Sequence, residues 1–230
     1  MLTTAIAFSG GKDSLACVMI NHHRLKDVVV LWVNTGKNHP EVIDTINKVK
    51  CLCPNFTEII SDREGQNAYW GLPSDIVPTD WTREGRDICG PKPVMIQPYL
   101  RCCIENIGMA MLRYCVQNGI KELITGQRNA DKRKSPTRDG DVVQGVTYRQ
   151  PIADWTDDDV LSYVGRFMNP LPEHLGLKHS SMDCYDCTAY RADSADRIAL
   201  MRDRHPALYA EYEVRKTALD RAIHEAMGEV

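Results

Sequence analysis

No run of apolar residues in this chain approaches the roughly 20 needed to cross a bilayer as a helix, and no internal repeat or low-complexity segment is present. A helical membrane span and a repeat architecture are therefore not expected. Nor is there a surplus of either charge: 28 Lys and Arg stand against 31 Asp and Glu, a formal net charge of −3. Global attraction to nucleic acid is absent, so any polyanion site must come from a local cluster such as "QRNADKRKSPTR". The first ten residues lack a basic start and run straight into a glycine-rich loop that removal of a leader would destroy; a cytoplasmic protein without a membrane partner is expected. What is present is a 230-residue chain, 43% hydrophobic and 26% charged, enough for one sizeable domain with or without a small appendage. Nine cysteines is a high and odd count for a cytoplasmic chain, where metal binding or thiol chemistry is a better expectation than disulfides.

The hydrophobic pattern alternates between strand and helix. Residues 2–8 read as a buried strand, a helix follows over about 13–23, and "VVVLWVNTG" is a continuous apolar run typical of a central parallel strand. "HPEVIDTINKVK" returns to helical spacing with Pro40 in its first turn, and "FTEIIS" is a third strand. Residues 62–98 show scattered Gly, Pro and Trp with little periodicity and read as a long irregular insert. A helix is predicted over 102–118, ended by Gly119, then a strand in "KELITGQR" and another in "YRQPIADW". Thr156, followed by three acids, starts a further helix; 169–190 is a loop, and about 194–227 is helical. This order implies an α/β fold, a doubly wound and mostly parallel sheet with a helical C-terminal segment, with ligands at the carboxyl ends of the strands. The expected division is a main domain over 1–190 and a helical extension packed on it over 191–230.

"SGGKDS" joins the first strand to the first helix. Gly10 and Gly11 let the backbone approach a phosphate, and the free N–H groups of the helix start face it with a favourable dipole. Lys12 adds a point charge, Asp13 can help hold Mg²⁺, and Ser9 and Ser14 can donate hydrogen bonds. The loop is not of the Walker type, which needs Gly where Ile6 stands and Ser or Thr where Asp13 stands. The plain alternative is a strand-to-helix turn with Gly for geometry.

Cys102 and Cys103 are adjacent, and Cys184 and Cys187 form a CxxC. Four clustered thiolates suit either a [4Fe–4S] cluster or structural Zn²⁺; a CxxC alone is equally a redox pair or two buried thiols. Cys17 and Cys115 lie in apolar helical settings and read as core residues, and Cys51 and Cys53 as an inert pair. Cys89 has Arg83, Arg86 and Lys92 nearby in sequence, which would stabilise a thiolate, against the plain reading of a loop cysteine. Arg128, Lys132, Arg133, Lys134 and Arg138 follow a strand end and read either as phosphate or sulfate contacts or as a solvated loop. His174 and His179 read mainly as exposed loop residues, against an acid–base or metal-supporting role before the CxxC, and Trp70 and Trp81 as stacking platforms or packing anchors.

"SGGKDS" after an N-terminal strand resembles the PP-loop of adenine-nucleotide α-hydrolases, and "VNTGKNHPEV" is similar to the "DTG…PE" segment of sulfonucleotide proteins. "YLRCCIEN", "HSSMDCYDCTAY", "QPIADWTDDDVLSYV" and "TGQR" resemble, in the same order, segments of adenylyl sulfate (APS) reductases. Over about residues 5–190 the chain thus resembles the PAPS/APS reductase-like family, PAPS being 3′-phosphoadenylyl sulfate. The resemblance implies the adenine nucleotide α-hydrolase-like fold, with nucleotide held by Ser9, Gly10, Gly11, Lys12, Asp13, Ser14, Thr35, Gly36, Gly126 and Arg128. It implies a [4Fe–4S] cluster on Cys102, Cys103, Cys184 and Cys187, zinc being the other option, and catalytic roles for Lys12, Asp13 and Arg128. Sulfonucleotide reductases attack sulfur with a cysteine in a C-terminal "ECGxH" segment, which has no counterpart after Cys187 here. The thiol then comes from Cys89 or a partner, or the intact loop serves ATP with Mg²⁺ in a sulfur transfer. The partners implied are an adenine nucleotide (ATP, APS or PAPS), a thioredoxin-like reductant or sulfur donor, and, in the transfer version, a nucleic acid as acceptor. The remaining reading is a zinc-stapled, non-catalytic nucleotide-binding module.

Overall fold

A computed structural model of the chain describes residues 2–177, 182 and 184–228. Its contacts divide into two compact units. One comprises the chain up to Asn34 with Pro40–Ile60 and Met109–Gly176; the other comprises Thr35–His39, Ser61–Gly108 and the chain from Leu177 on.

The first unit is a six-stranded, mostly parallel sheet with flanking helices. Its strands are β1 (Thr4–Ala7), β2 (Val29–Asn34), β3 (Phe56–Ile60), β6 (Glu122–Ile124), β7 (Val142–Val143) and β8 (Val146–Arg149), in spatial order β3-β2-β1-β6-β8-β7. All neighbours run parallel except the edge hairpin β7–β8. Ala5 and Ile6 point to opposite faces and both are wholly buried, so the sheet is covered on both sides, as the unbroken apolar run of β2 predicts. On one face Ala5, Val29, Leu31, Leu123 and Val146 pack with Leu112 and Cys115 of α6 (Met109–Gln117). Helix α6 ends as expected at Gly119, with φ of +72°. There the Ile120 N–H bonds the Cys115 carbonyl and the Gly119 N–H that of Val116, a paired cap that releases the chain into β6. Helix α1 (Lys12–Ile20) packs against α7 (Asp157–Val164), and α2 (Pro40–Lys50) buries Val42, Thr45, Ile46 and Val49 at helical spacing. The predicted start of α7 holds: Thr156 and Asp159 form a reciprocal capping box.

The second unit contains the segment read as irregular, and here the structure differs. It holds α3 (Arg63–Trp70), β4 (Leu72–Ser74), α4 (Arg83–Cys89) and β5 (Ile96–Pro98), with β4 and β5 pairing in parallel. These elements are too short for periodicity to emerge, and they are specified by their ends instead. Asp62 caps α3 by accepting from the Gly65 N–H, and Thr82 caps α4 by accepting from Gly85. Gly71 has φ of +100°, and a Cβ there would lie 2.2 Å from the Met95 carbonyl carbon. The helix predicted over 102–118 is α5 (Tyr99–Cys103), a π-helical turn over Ile104–Gly108, and then α6. The predicted C-terminal helix is two, α8 (Ala195–Arg204) and α9 (Pro206–Ala226), divided where Pro206 cannot continue the first. Leu219, Ala222 and Ile223 of α9 pack with Trp81 and Ile96, so Trp81 is a packing anchor.

Candidate functional site

The strand order reverses direction between β1 and β6. Chain connections run outward from β1 through β2 and β3 on one side, and from β6 to β8 on the other. In open α/β sheets the loops leaving two such neighbours diverge and leave a crevice at their carboxyl ends. The loops concerned here carry Ser9–Ser14 and Thr125–Arg128.

Within the first loop, Gly10 has φ of +80°, and a Cβ there would stand 2.8 Å from Val42 Cγ1. Gly11 differs, with ordinary extended backbone and only Ser9 Oγ, at 3.6 Å, near its missing Cβ. Helix α1 starts there without a side-chain cap. Ser14 Oγ accepts from the Ser9 N–H at 3.1 Å and donates to the Gly11 carbonyl at 3.0 Å, so it braces the loop from within. The loop after β6 presses directly on this start: a Cβ on Gly126 would lie 2.7 Å from the Asp13 carbonyl carbon. Gly126 thus serves close approach of the two loops.

Charged side chains from three places meet at this junction. Lys12 Nζ lies 2.8 Å from Asp13 Oδ2 and 2.9 Å from Asp157 Oδ1. Arg128, only 6% exposed, lies 2.9 Å from each of Asp13, Asp131 and Asp157. Its Nη1 is buried without a hydrogen-bond partner among the described residues, an unmet cationic donor at the switch point. Burial raises the Asp13 pKa against the opposing pull of Lys12 and Arg128, whereas the Lys12 hydrogen bond leads in lowering that of Asp157. The structure therefore brings together Lys12, Asp13 and Arg128, as expected, and adds Asp131 and Asp157. The one available signal for Asp157 was its place in the "TDDD" helix start, where the dipole accounts for an acid by itself.

The basic loop is built on Gln127, which donates to Asp131 Oδ2 at 2.6 Å and accepts from the Ser135 N–H at 2.9 Å. Lys134 Nζ bonds the Asn129 carbonyl, turning back on its own loop. His174, expected to be exposed, is 6% exposed, and burial lowers its pKa, which favours the neutral ring. Its Nε2 has no hydrogen-bond partner among the described residues. His179 lies outside the described residues.

The second unit holds the four cysteines. Cys103, Cys184 and Cys187 pack with Ala189, Tyr99 and Tyr190, while Cys102 is 5% exposed and Cys187 7%. Thr35 Oγ1 lies 3.2 Å from Cys184 Sγ, and the Tyr190 hydroxyl 3.1 Å from Cys103 Sγ. Asn106 donates to Cys102 Sγ at 3.6 Å. Arg197 donates to the Cys184 carbonyl at 2.9 Å and to that of Cys187 at 3.4 Å, closing the turn between them. Thr35 is thereby placed at a sulfur, and the adjacent Gly36, with φ of +73°, has open space beside it. As placed, no three His, Cys, Asp or Glu side chains among the described residues close on one point as a metal's ligand shell. The donor chemistry nonetheless suits a thiolate-held group: four sulfurs in one neighbourhood, with N–H and O–H donors against three of them.

The other cysteines are of a different kind. Burial pushes Cys17 up to about 12, and Cys53 and Cys115 to about 11, as inert core thiols. Cys89 is exposed, and its pKa is raised, first by a hydrogen bond with Asp80. Lys92 pulls the other way, while Arg83 pairs with Asp87 at 2.7 Å and stacks on Tyr69.

Residues 3–190 match the family model described as phosphoadenosine phosphosulfate reductase domain. An uncharacterised protein of Methanocaldococcus jannaschii is 24% identical over 188 residues, 80% of this chain; the chain spans 41% of that curated relative's length. Among solved structures, the PAPS reductase of Candida auris in a phosphate complex superposes with a TM-score of 0.52 at 16% identity, covering 80% of this chain and 82% of that one. That likeness concerns the fold. A U34-tRNA thiolase of Methanococcus maripaludis, solved with its [4Fe–4S] cluster, gives a TM-score of 0.44 at 14% identity over 95% of this chain and 72% of that one. No helix of the described residues is long and apolar enough to cross a membrane.

Proposed function

The chain belongs to the phosphoadenosine phosphosulfate reductase family, and from that premise we propose that it is an adenine-nucleotide-dependent enzyme of sulfur chemistry. The nucleotide's phosphate or sulfate groups bind between the Ser9–Ser14 loop and Arg128. One observation carries this: a buried arginine with an unmet donor stands beside Lys12 and an uncapped helix start, at the strand-order switch point between β1 and β6. An entering anion takes Lys12 and Arg128 from their carboxylates, and Gly11 gives it room at the backbone. Cys102, Cys103, Cys184 and Cys187 would hold a [4Fe–4S] cluster, which when bound supplies a compact, thiolate-ligated charge centre. Thr35, Tyr190 and Asn106 orient the sulfurs through hydrogen bonds.

In the reductase reading the substrate is APS or PAPS, a thiolate displaces the nucleotide from its sulfur, and a dithiol reductant then releases sulfite. A second reading, ATP-dependent sulfur transfer, is favoured by the charge count at the loop. Three carboxylates, Asp13, Asp131 and Asp157, face two cations, Lys12 and Arg128. A triphosphate entering that field is best accompanied by a divalent cation. In that reaction an acceptor oxygen attacks the α-phosphate, pyrophosphate leaves, and a sulfur nucleophile then displaces AMP. Incubating anaerobically purified protein with PAPS and a dithiol, or with Mg²⁺-ATP, a sulfur donor and the acceptor, separates the two. Sulfite marks the first and pyrophosphate the second; neither product with a loaded protein overturns both.

A further inference from the structure

The two cysteine pairs are far apart in sequence, and the reading of them as one site rests on something holding them together. Helix α3 presents two buried polar side chains one turn apart, Arg63 at 2% and Asn67 at 7% exposure, on one face. Arg63 Nη1 lies 2.8 Å from Oδ1 of Asp186 and donates to its Oδ2 at 3.0 Å. Asp186 is itself wholly buried and sits inside the turn between Cys184 and Cys187. Asn67 Oδ1 accepts from Cys102 Sγ at 3.5 Å and from Gln97 Nε2 at 3.0 Å. The same helix face therefore reaches the CxxC turn through one residue and the vicinal pair through the other.

The charge balance at this face is unusual. Arg215 also approaches Asp186, at 3.5 Å, so two guanidinium groups share one buried carboxylate, and Arg215 acts on Glu211 as well. Cys102 and Cys184 are both within electrostatic reach of Arg63. Arg63 Nη2 and Asn67 Nδ2 are buried without hydrogen-bond partners among the described residues. Unmet buried donors are costly in a neutral interior and appropriate beside anionic sulfur.

We propose that Arg63 and Asn67 are positioning residues of the four-thiol site, bracketing the two cysteine pairs on one helix face: Arg63 holds positive charge and an unmet N–H donor ready for thiolate sulfur, and Asn67 fixes the Cys102 side chain through its amide oxygen. This rests on the reading of the four cysteines as one ligand set. Wild type, Arg63→Lys, Arg63→Gln and Asn67→Leu are to be loaded anaerobically with iron and sulfide and, separately, with Zn²⁺ against a chromophoric chelator. Iron and acid-labile sulfide per chain, zinc affinity, reduction potential and melting temperature are measured. Wild type is expected to take up one cluster per chain. Arg63→Gln and Asn67→Leu should bind zinc roughly tenfold or more weakly, the range found for residues that orient metal ligands. Arg63→Gln should also lower the potential of any cluster formed, and Arg63→Lys, which keeps the charge without the fork, should fall between. Full loading with unchanged affinity and potential in both variants overturns the bracket alone. Wild type that takes up neither iron nor zinc overturns the four-thiol reading with it. Should Arg63→Gln lose its cooperative melt, Arg63→Lys and Asn67→Leu decide by the same measures.

Discussion

Arg128 and Asp13 meet at 2.9 Å, one from the loop after β6 and the other from the start of α1. That contact joins the two sides of the strand-order switch point and keeps a buried guanidinium in place among carboxylates. On the proposed nucleotide-binding role, loss of Arg128 should be felt twice, in folding and in binding.

Arg128→Ala should destabilise the protein by about 1–3 kcal/mol, less than for a fully buried pair because the three carboxylates that lose their common cation keep contact with solvent. Arg128→Lys should restore most of the stability but not nucleotide affinity, since a point charge cannot serve several oxygens at once. Urea denaturation and nucleotide titration of the two variants check this.

The neighbouring glycines should behave differently. Gly10→Ala places a Cβ at 2.8 Å from Val42 in left-handed backbone and should cost about 1–3 kcal/mol. Gly11→Ala, with ordinary φ and its nearest neighbour at 3.6 Å, should leave stability within about 0.5 kcal/mol while weakening nucleotide binding. Equal destabilisation by both would contradict the assigned loop geometry.

The acid limb of stability should depend on Asp157. Its folded pKa is depressed, chiefly by the Lys12 hydrogen bond, so its contribution is present above the ordinary value of 3.8 and lost as pH falls through the folded value. Asp13, raised by burial, acts oppositely: protonation relieves a buried charge, so acidification through its raised value adds stability. Asp157→Asn should flatten the acid limb, and Asp13→Asn should steepen it. Urea midpoints measured between about pH 3 and pH 6 decide.

Thr156→Ala should cost about 1 kcal/mol by removing the α7 cap, and should also loosen Asp157, the first residue of that helix, from Lys12. A shallower pH dependence in this variant would report the second effect separately from the first.

Most of the parallel sheet was legible in the sequence because β2 is a continuous apolar run, short strand patterns alternate with helical ones, and the helices carry clear start and stop signals, as at Thr156 and Gly119. The insert over 62–98 was not, because α3 and α4 are held by single caps and by contacts distant in sequence, which leave no periodic trace. The same cause hid half of each candidate site. Lys12, Asp13 and Arg128 lie in recognisable motifs, whereas Asp131, Asp157, Arg63 and Asp186 take their roles only from what folding places beside them. Cys89 shows the converse: Arg83 pairs with Asp87, and the pull of Lys92 is outweighed by Asp80 at the thiol.

The central claim is that a nucleotide's anionic groups occupy the place held by Lys12 and Arg128. Calorimetric titration of wild type and Lys12→Ala with ATP, PAPS and adenosine tests it most directly. Wild type should bind ATP or PAPS more tightly than adenosine. Lys12→Ala should lose roughly 10–100-fold for that ligand, the worth of one hydrogen bond to a charged group, with adenosine unchanged. Equal binding of adenosine and the charged nucleotides, or an unaltered affinity in Lys12→Ala, would contradict the account.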